Sequence, residues 1–376
     1  MPWRNWTKAI YDWLRPGPTG EHTVFGHRRG PVDHVLILDG TMSTLATGYE
    51  TNAGLTYKLL REVAGTDLSL FYEAGIQWRD WRATSDIVLG RGINRQIRRA
   101  YGYLSSRYRP GDRIFLLGYS RGAYAVRSLA GVIDRIGLLR SEVATERNVE
   151  VAWRHYQCHP DGAAARAFSR EFCYNDAHVE MIGVWDTVKA LGLRIPILSR
   201  FRADRHGFHN HHLGHTTRHG FHALALDETR RAYTPVLWEC PPGFDGHVEQ
   251  VWFRGCHSDV GGQLCGFHAA RPLANIPLVW MLERMKGCKL PLPEGWHGRF
   301  ATDVTAPSVG TWTGWSKLLL RRRPRVVGRD PSERIHESVT GPLRRGWFGP
   351  RLTGQLKEAH LKEGAGQNAP GLTRDA

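Results

Sequence analysis

Short apolar runs alternate with helical periodicity along most of the chain. His34-Val35-Leu36-Ile37-Leu38 is continuous, the pattern of a strand buried on both faces. A second run, Leu68-Ser69-Leu70-Phe71-Tyr72, closes on Glu73-Ala74-Gly75. Between Gly92 and Tyr108, the positions Ile93, Ile97, Tyr101, Leu104 and Tyr108 trace one face of a helix. Pro110 and Gly111 end it, and Arg113-Ile114-Phe115-Leu116-Leu117 starts the next strand. Further strands are predicted at Val179–Trp185, Pro235–Trp238 and Val248–Phe253, with a helix carrying Leu273, Ile276, Trp280 and Leu282 after the last. Such alternation predicts an α/β fold with a mainly parallel central sheet and flanking helices. Residues 141–178 and 190–232 lack clear strands and read as cap-like insertions. The domain is thus expected over 31–345, after an N-terminal segment of residues 1–30 and before a polar tail of 346–376.

One motif sits where a strand gives way to a helix. Gly118-Tyr119-Ser120-Arg121-Gly122 follows the strand ending at Leu117 and precedes Ala123-Tyr124-Ala125-Val126-Arg127-Ser128-Leu129-Ala130. In a chain with 42 glycines the five residues alone are weak evidence. Their setting is what makes them specific: a nucleophilic serine needs a tight, strained turn that lifts its hydroxyl above the sheet. Gly118 and Gly122 remove side chains that would collide there. The fold therefore reads as α/β-hydrolase-like, with Ser120 as nucleophile. The helix dipole and the amide of Arg121 favour an oxyanion beside it. A second donor is expected from the turn after the first strand, where Asp39-Gly40-Thr41 offers the amide of Gly40 or Thr41.

Nineteen histidines make the general base a harder choice. His257 lies in the glycine-rich loop Gly255-Cys256-His257-Ser258-Asp259-Val260-Gly261-Gly262 after a late strand, as this chemistry requires. His222 is the competitor and reads as the start of a helix. Asp186, closing the strand Gly183-Val184-Trp185, is expected to orient the imidazole, with Asp303 as the alternative. Asp259 lies too near His257 in sequence and is expected to hold the loop instead. His206, His209, His211, His212, His215, His219 and His222 form a dense cluster, and His211, His215 and His219 would share a helix face. No carboxylate or cysteine completes a metal site there, so a solvated loop is expected.

Charge and cysteines narrow the setting. A formal charge of +15 points to a polyanionic neighbour, unless it only reflects arginine-rich composition. The six cysteines show no metal-ligand spacing and read as free thiols of a reducing compartment. Trp3, Trp6, Ile10, Trp13 and Leu14 fall at helical spacing, fit for a membrane interface or for docking on the protein's own core. No cleavage site follows them, and no apolar run nears the roughly 20 residues of a membrane span. Synthesis in the cytoplasm is expected, with any export by a signal-independent route. Lys317-Leu318-Leu319-Leu320-Arg321-Arg322-Arg323-Pro324-Arg325, after Trp312 and Trp315, suits anionic headgroups or phosphate, or is a solvated basic loop.

With these residues in place, the chain resembles a bacterial and fungal α/β-hydrolase family best known through type VI secretion phospholipase effectors. The resemblance runs from about His34 to about Arg345. It rests on Leu38-Asp39-Gly40-Thr41, Tyr72-Glu73-Ala74-Gly75, the Ser120 motif with Arg127-Ser128-Leu129-Ala130-Gly131, and Gly183-Val184-Trp185-Asp186-Thr187-Val188. His222-Ala223-Leu224-Ala225-Leu226-Asp227-Glu228, His257-Ser258-Asp259-Val260-Gly261-Gly262 and Ile335-His336-Glu337-Ser338-Val339 follow in the family's order. The resemblance implies Ser120 as nucleophile, His257 as base, and hydrolysis of phospholipid or other acyl esters. Gln263-Leu264-Cys265 departs from the aromatic-ended glycine run usual after the histidine loop, and the chain is close to the bare domain. The reading is a serine hydrolase of acyl esters needing no metal or organic cofactor, with peripheral contact to anionic membrane favoured over nucleic acid. A soluble small-ester esterase and a non-catalytic membrane- or nucleic-acid-binding module are the alternatives. Oligomeric state is not legible.

Overall fold

The computed structural model describes residues 29–75, 91–174, 176–188, 212–240, 246–312, 321–339 and 349–354. The N-terminal tryptophan segment, His206 to His211, Trp315 to Leu320 and most of the polar tail lie outside them. In chain order the elements are β1 (Asp33–Leu38), α1 (Asn52–Glu62), β2 (Leu68–Glu73), α2 (Arg91–Ser105), β3 (Arg113–Tyr119) and α3 (Arg121–Arg135). Then come β4 (Leu138–Leu139), α4 (Glu146–Cys158), α5 (Ala163–Phe172), β5 (Cys173–Tyr174), β6 (Val179–Trp185), β7 (Thr217–Ala225) and β8 (His247–Phe253). The rest are α6 (His257–Gly261), α7 (Arg271–Gly287), β9 (Val326–Val327), β10 (Glu333–Ile335) and β11 (Arg351–Leu352).

Seven strands form one sheet in the order β10-β8-β7-β6-β3-β1-β2, and every neighbouring pair is parallel. Such a sheet must be covered on both faces, which is why its strands are apolar at consecutive positions. Leu36, Leu38, Ile114, Leu116, Ile182 and Val184 face a layer holding Tyr101, Val126, Leu129 and Trp153 of α2, α3 and α4. Their alternates Val35, Ile37, Phe115, Leu117, Met181 and Trp185 face Leu59 and Leu60 of α1 and Leu278, Met281 and Leu282 of α7. From β1 the chain goes outward to β2 and then returns across β1 to β3. The loops after β1 and β3 therefore diverge, leaving a crevice at the carboxyl edge of the sheet.

Three expectations are corrected. Residues 217–225, assigned to an insertion with His222 opening a helix, are instead the central strand β7. Its sequence, Thr-Arg-His-Gly-Phe-His-Ala-Leu-Ala, hides the strand behind polar residues at its amino end. Pro235–Trp238 is not a strand: it makes one bridge, Val188 to Pro235, and lies against Arg127, which donates to the Val236 and Leu237 carbonyls. Residues 141–178 do not form a cap. Val149, Ala152, Trp153 and Phe168 pack into the same layer as α2 and α3. In addition, Arg351–Leu352, within the stretch read as tail, pairs parallel with β9.

Candidate active site

β3 ends at Tyr119 and α3 begins at Arg121, so Ser120 alone makes the turn, at φ 58° and ψ −117°. A non-glycine residue held there stores about 1–3 kcal/mol. Packing enforces it. A Cβ on Gly122 would stand 2.0 Å from the Leu38 carbonyl oxygen, and one on Gly118 would stand 2.7 Å from the Gly122 carbonyl oxygen. The elbow is thus pressed against the end of β1 with no room for side chains.

Three loops at the carboxyl edge meet at this serine. Ser120 Oγ lies 2.8 Å from His257 Nε2, and His257 Nδ1 lies 2.6 Å from Asp186 Oδ2. All three residues are buried. Asp186 sits just past β6 at φ 38°, and its Oδ1 accepts the Ala225 N–H at 3.1 Å. Burial alone would raise its carboxyl. The Arg325 guanidinium, 2.9 Å from Oδ2, and the bond to His257 outweigh burial and hold Asp186 well below the usual carboxylate range.

The neighbouring turn after β1 was expected to offer Gly40 or Thr41 as a donor. The Gly40 N–H is turned away, donating to its own neighbour Asp39 Oδ1 at 2.6 Å. That carboxylate is buried and also accepts the Thr51 and Tyr72 hydroxyls at 2.7 and 2.8 Å. Thr41 and Arg121 differ, since among the described residues neither amide has a protein acceptor. Gly75 backs the turn closely: its Cβ would stand 2.1 Å from the Gly40 oxygen and 2.7 Å from the Thr41 nitrogen.

The sequence matches the model of the type VI secretion phospholipase effector Tle1-like catalytic domain over residues 33–284, more than half of the chain. The chain belongs to that family. It is similar to the uncharacterized protein YEL023C of Saccharomyces cerevisiae, 27% identical in an alignment 185 residues long that covers 42% of this chain and 27% of the yeast protein. Two solved structures are similar at low identity. One is an uncharacterized protein from Pseudomonas aeruginosa (14% identity, TM-score 0.41, 73% of this chain and 49% of that one). The other is the Tle1 effector bound to the VgrG spike (17% identity, TM-score 0.33, 63% of this chain and 52% of that one). This chain spans about half the length of each solved structure and about a quarter of the yeast protein.

Within this Tle1-like domain the family motifs brace the histidine loop. At the end of β7, Asp227 Oδ2 accepts the Gly255 N–H at 2.7 Å and Glu228 Oε2 accepts the His257 N–H at 3.1 Å. Burial pushes Glu228 up, but Arg230, bonded to it at 2.6 and 2.9 Å, prevails and lowers it. Asp259 holds the loop as expected, accepting the Cys256 and Val309 N–H groups at 2.7 and 2.8 Å. Gln263, where the sequence leaves the family pattern, donates from Nε2 to the Thr41 carbonyl at 2.9 Å.

The competing residues lie elsewhere. His222 is on β7, where Nε2 accepts the Thr187 N–H at 3.1 Å, and burial lowers it to about 3. It is a neutral support beneath the Asp186 turn. Asp303 is exposed and bonds Thr305. His219 is on a strand, with its ring 5.6 Å from that of His247, so it shares no helix face with His215. Among the described residues no group of three or more histidine, cysteine or acidic side chains could hold a metal. Arg325 was missed in the sequence because nothing distinguishes it from the arginines at 321, 322 and 323.

Proposed function

We propose that this domain is a serine hydrolase of acyl esters and that its substrate is a phospholipid. The observation that carries the reading is the buried hydrogen-bonded chain Ser120–His257–Asp186, with its serine on a strained turn. His257 Nε2 takes the hydroxyl proton as Ser120 Oγ attacks the ester carbonyl. The oxyanion is received by the amides of Thr41 and Arg121, the latter at the start of α3. His257 then passes the proton to the leaving alkoxide, which gives an acyl-enzyme and an alcohol. A water, deprotonated by the same imidazole, attacks the acyl group and regenerates Ser120. Asp186 fixes the tautomer with Nδ1–H toward itself and stabilises the imidazolium.

Three features support a lipid over a small ester. Among the described residues the exposed large hydrophobics are Met42, Tyr49, Phe267, Val304 and Trp312. Met42 and Tyr49 lie on the loop after β1, Phe267 on the loop after α6, where the neighbouring His268 ring is 6.1 Å from that of Tyr49, and Val304 and Trp312 on the chain after α7. Arg121 is half-buried, and among the described residues its guanidinium has no hydrogen bond or ion pair. A phosphate beside the scissile ester would supply one. Family membership and the charge of +15 agree with an anionic lipid surface. Among the described residues no helix is long and apolar enough to cross a membrane, so contact would be peripheral. The family also favours delivery by a signal-independent secretion system.

Purified protein is assayed on phospholipid vesicles and on short and long p-nitrophenyl esters, beside Ser120→Ala and His257→Ala. Fluorophosphonate labelling of Ser120 and turnover of vesicles, both lost in Ser120→Ala, are expected. Turnover of short esters alone leaves a small-ester esterase. Salt-sensitive vesicle or nucleic-acid binding without labelling leaves a binding module.

A further inference from the structure

Arg325 lies outside the region that matches the family's catalytic domain, residues 33–284, yet its side chain reaches the centre of the site. Its guanidinium is buried, donates to Asp186 Oδ2 at 2.9 Å, and sits 6.0 Å from the Trp252 ring. That oxygen is the one that faces His257 Nδ1. Arg325 immediately precedes β9, whose partner β11 is pinned beside it by the Arg351 N–H bonded to the Arg325 carbonyl at 2.8 Å. The backbone carrying Arg325 is therefore itself anchored.

Two buried ion pairs stand together here, Asp186 with Arg325 and Glu228 with Arg230. From the loop after β7 come Glu228 and Arg230, bonded to each other, and Tyr233. His222 comes from β7, Tyr119 from β3, and Arg127 from α3, the last satisfied by the Val236 and Leu237 carbonyls. Cys256 and Asp259 flank His257, and Asp259 is capped by neutral donors. Beyond Trp252, Glu333 of β10 accepts the indole N–H at 2.7 Å. Removing Arg325 alone would leave Asp186 without its cation beside the imidazole, and an unbalanced buried carboxylate draws a proton to the nearest base.

We propose that Arg325 is a positioning member of the site, which aims Asp186 Oδ2 at His257 and balances the charge that this carboxylate places beside the imidazole. The segment after residue 284 is then part of the catalytic unit. This rests on reading Ser120, His257 and Asp186 as a catalytic triad.

The test is the pH profile of kcat/KM on a soluble short-chain ester for wild type, Arg325→Gln and Arg325→Lys, each checked for folding by thermal melt. In Arg325→Gln the acid limb moves up by about one pH unit, so that turnover below the limb falls about tenfold more than turnover on the plateau. Arg325→Lys keeps the limb at its wild-type position with a lower plateau. A folded Arg325→Gln enzyme with a uniform loss and an unmoved limb overturns the proposal. If the glutamine variant does not fold, Arg325→Lys decides: an unmoved limb supports the charge role and a shifted one overturns it. Failure of the triad reading shows separately, as wild-type protein whose Ser120 takes no fluorophosphonate.

Discussion

The ring of Tyr233 stacks on the imidazole of His257, with centroids 4.5 Å apart and planes 29° apart. Arg230 lies over the Tyr233 ring in turn, 4.3 Å from its centroid, and is itself held by Glu228. The proton shuttling proposed for this imidazole requires a fixed ring, and this column limits its rotation. Tyr233→Phe keeps the stack and should hold kcat/KM within about threefold, whereas Tyr233→Ala should lower it about ten- to a hundredfold. Steady-state kinetics on a short ester check both.

The backbone strain at Ser120 gives a stability prediction of unusual sign. Ser120→Gly relieves about 1–3 kcal/mol of strain and loses one hydrogen bond of about 1 kcal/mol. The inactive glycine variant should therefore melt about 2 °C above wild type. Ser120→Ala keeps a Cβ in the same conformation and should show no such rise. Calorimetry of the three proteins side by side decides it.

Gly75 is remote from Ser120 in sequence but touches the turn that carries Thr41. A methyl there would lie 2.1 Å from the Gly40 oxygen, and the turn must move to admit it. Gly75→Ala should lower kcat about a hundredfold with a smaller change in KM, because a displaced oxyanion donor is missed only in the transition state. The same change should cost about 1–3 kcal/mol of stability, readable by denaturant melts.

His222 predicts how stability responds to acid. Its folded value is lowered to about 3 by burial, against an ordinary value near 6.5. Between these the unfolded chain binds the proton and the folded one does not, so stability present above about pH 6.5 drains away as the pH falls toward 3. Asp186 and Glu228, both lowered, add a second loss that begins only below the ordinary carboxylate range. Melting temperature against pH should fall in two stages, and His222→Gln, whose amide oxygen can still accept from Thr187, should flatten the upper one.

The exposed apolar residues on the loops after β1 and α6 predict a split between substrates. Phe267→Asp combined with Met42→Asp should weaken sedimentation with anionic vesicles by about tenfold or more. It should lower vesicle hydrolysis far more than hydrolysis of a soluble ester, and equal losses on both would argue against an interfacial role.

The sequence made some of this legible and concealed the rest for physical reasons. β1, β3 and β6 are apolar at consecutive positions, so Ser120 and Asp186 at their ends could be located. β7 was hidden because Arg218, His219 and Gly220 break its apolar run, and its loss from view also misplaced His222. The proposed donor pair was half legible: Asp39-Gly40-Thr41 marks the turn, but which amide is left unbonded depends on Asp39 capturing that of Gly40. Arg325 was illegible because its importance comes from burial against Asp186, across 139 residues, and not from its local sequence.

That span has a consequence for synthesis. The links of the site join positions 71, 137 and 139 residues apart, and the last of them ends at Arg325. During translation the sheet can be assembled up to β8 while Asp186 still lacks its cation. A chain cut short between β8 and Arg325 would keep every strand that holds Ser120, Asp186 and His257 and still bury the Asp186 carboxylate without the guanidinium that faces it.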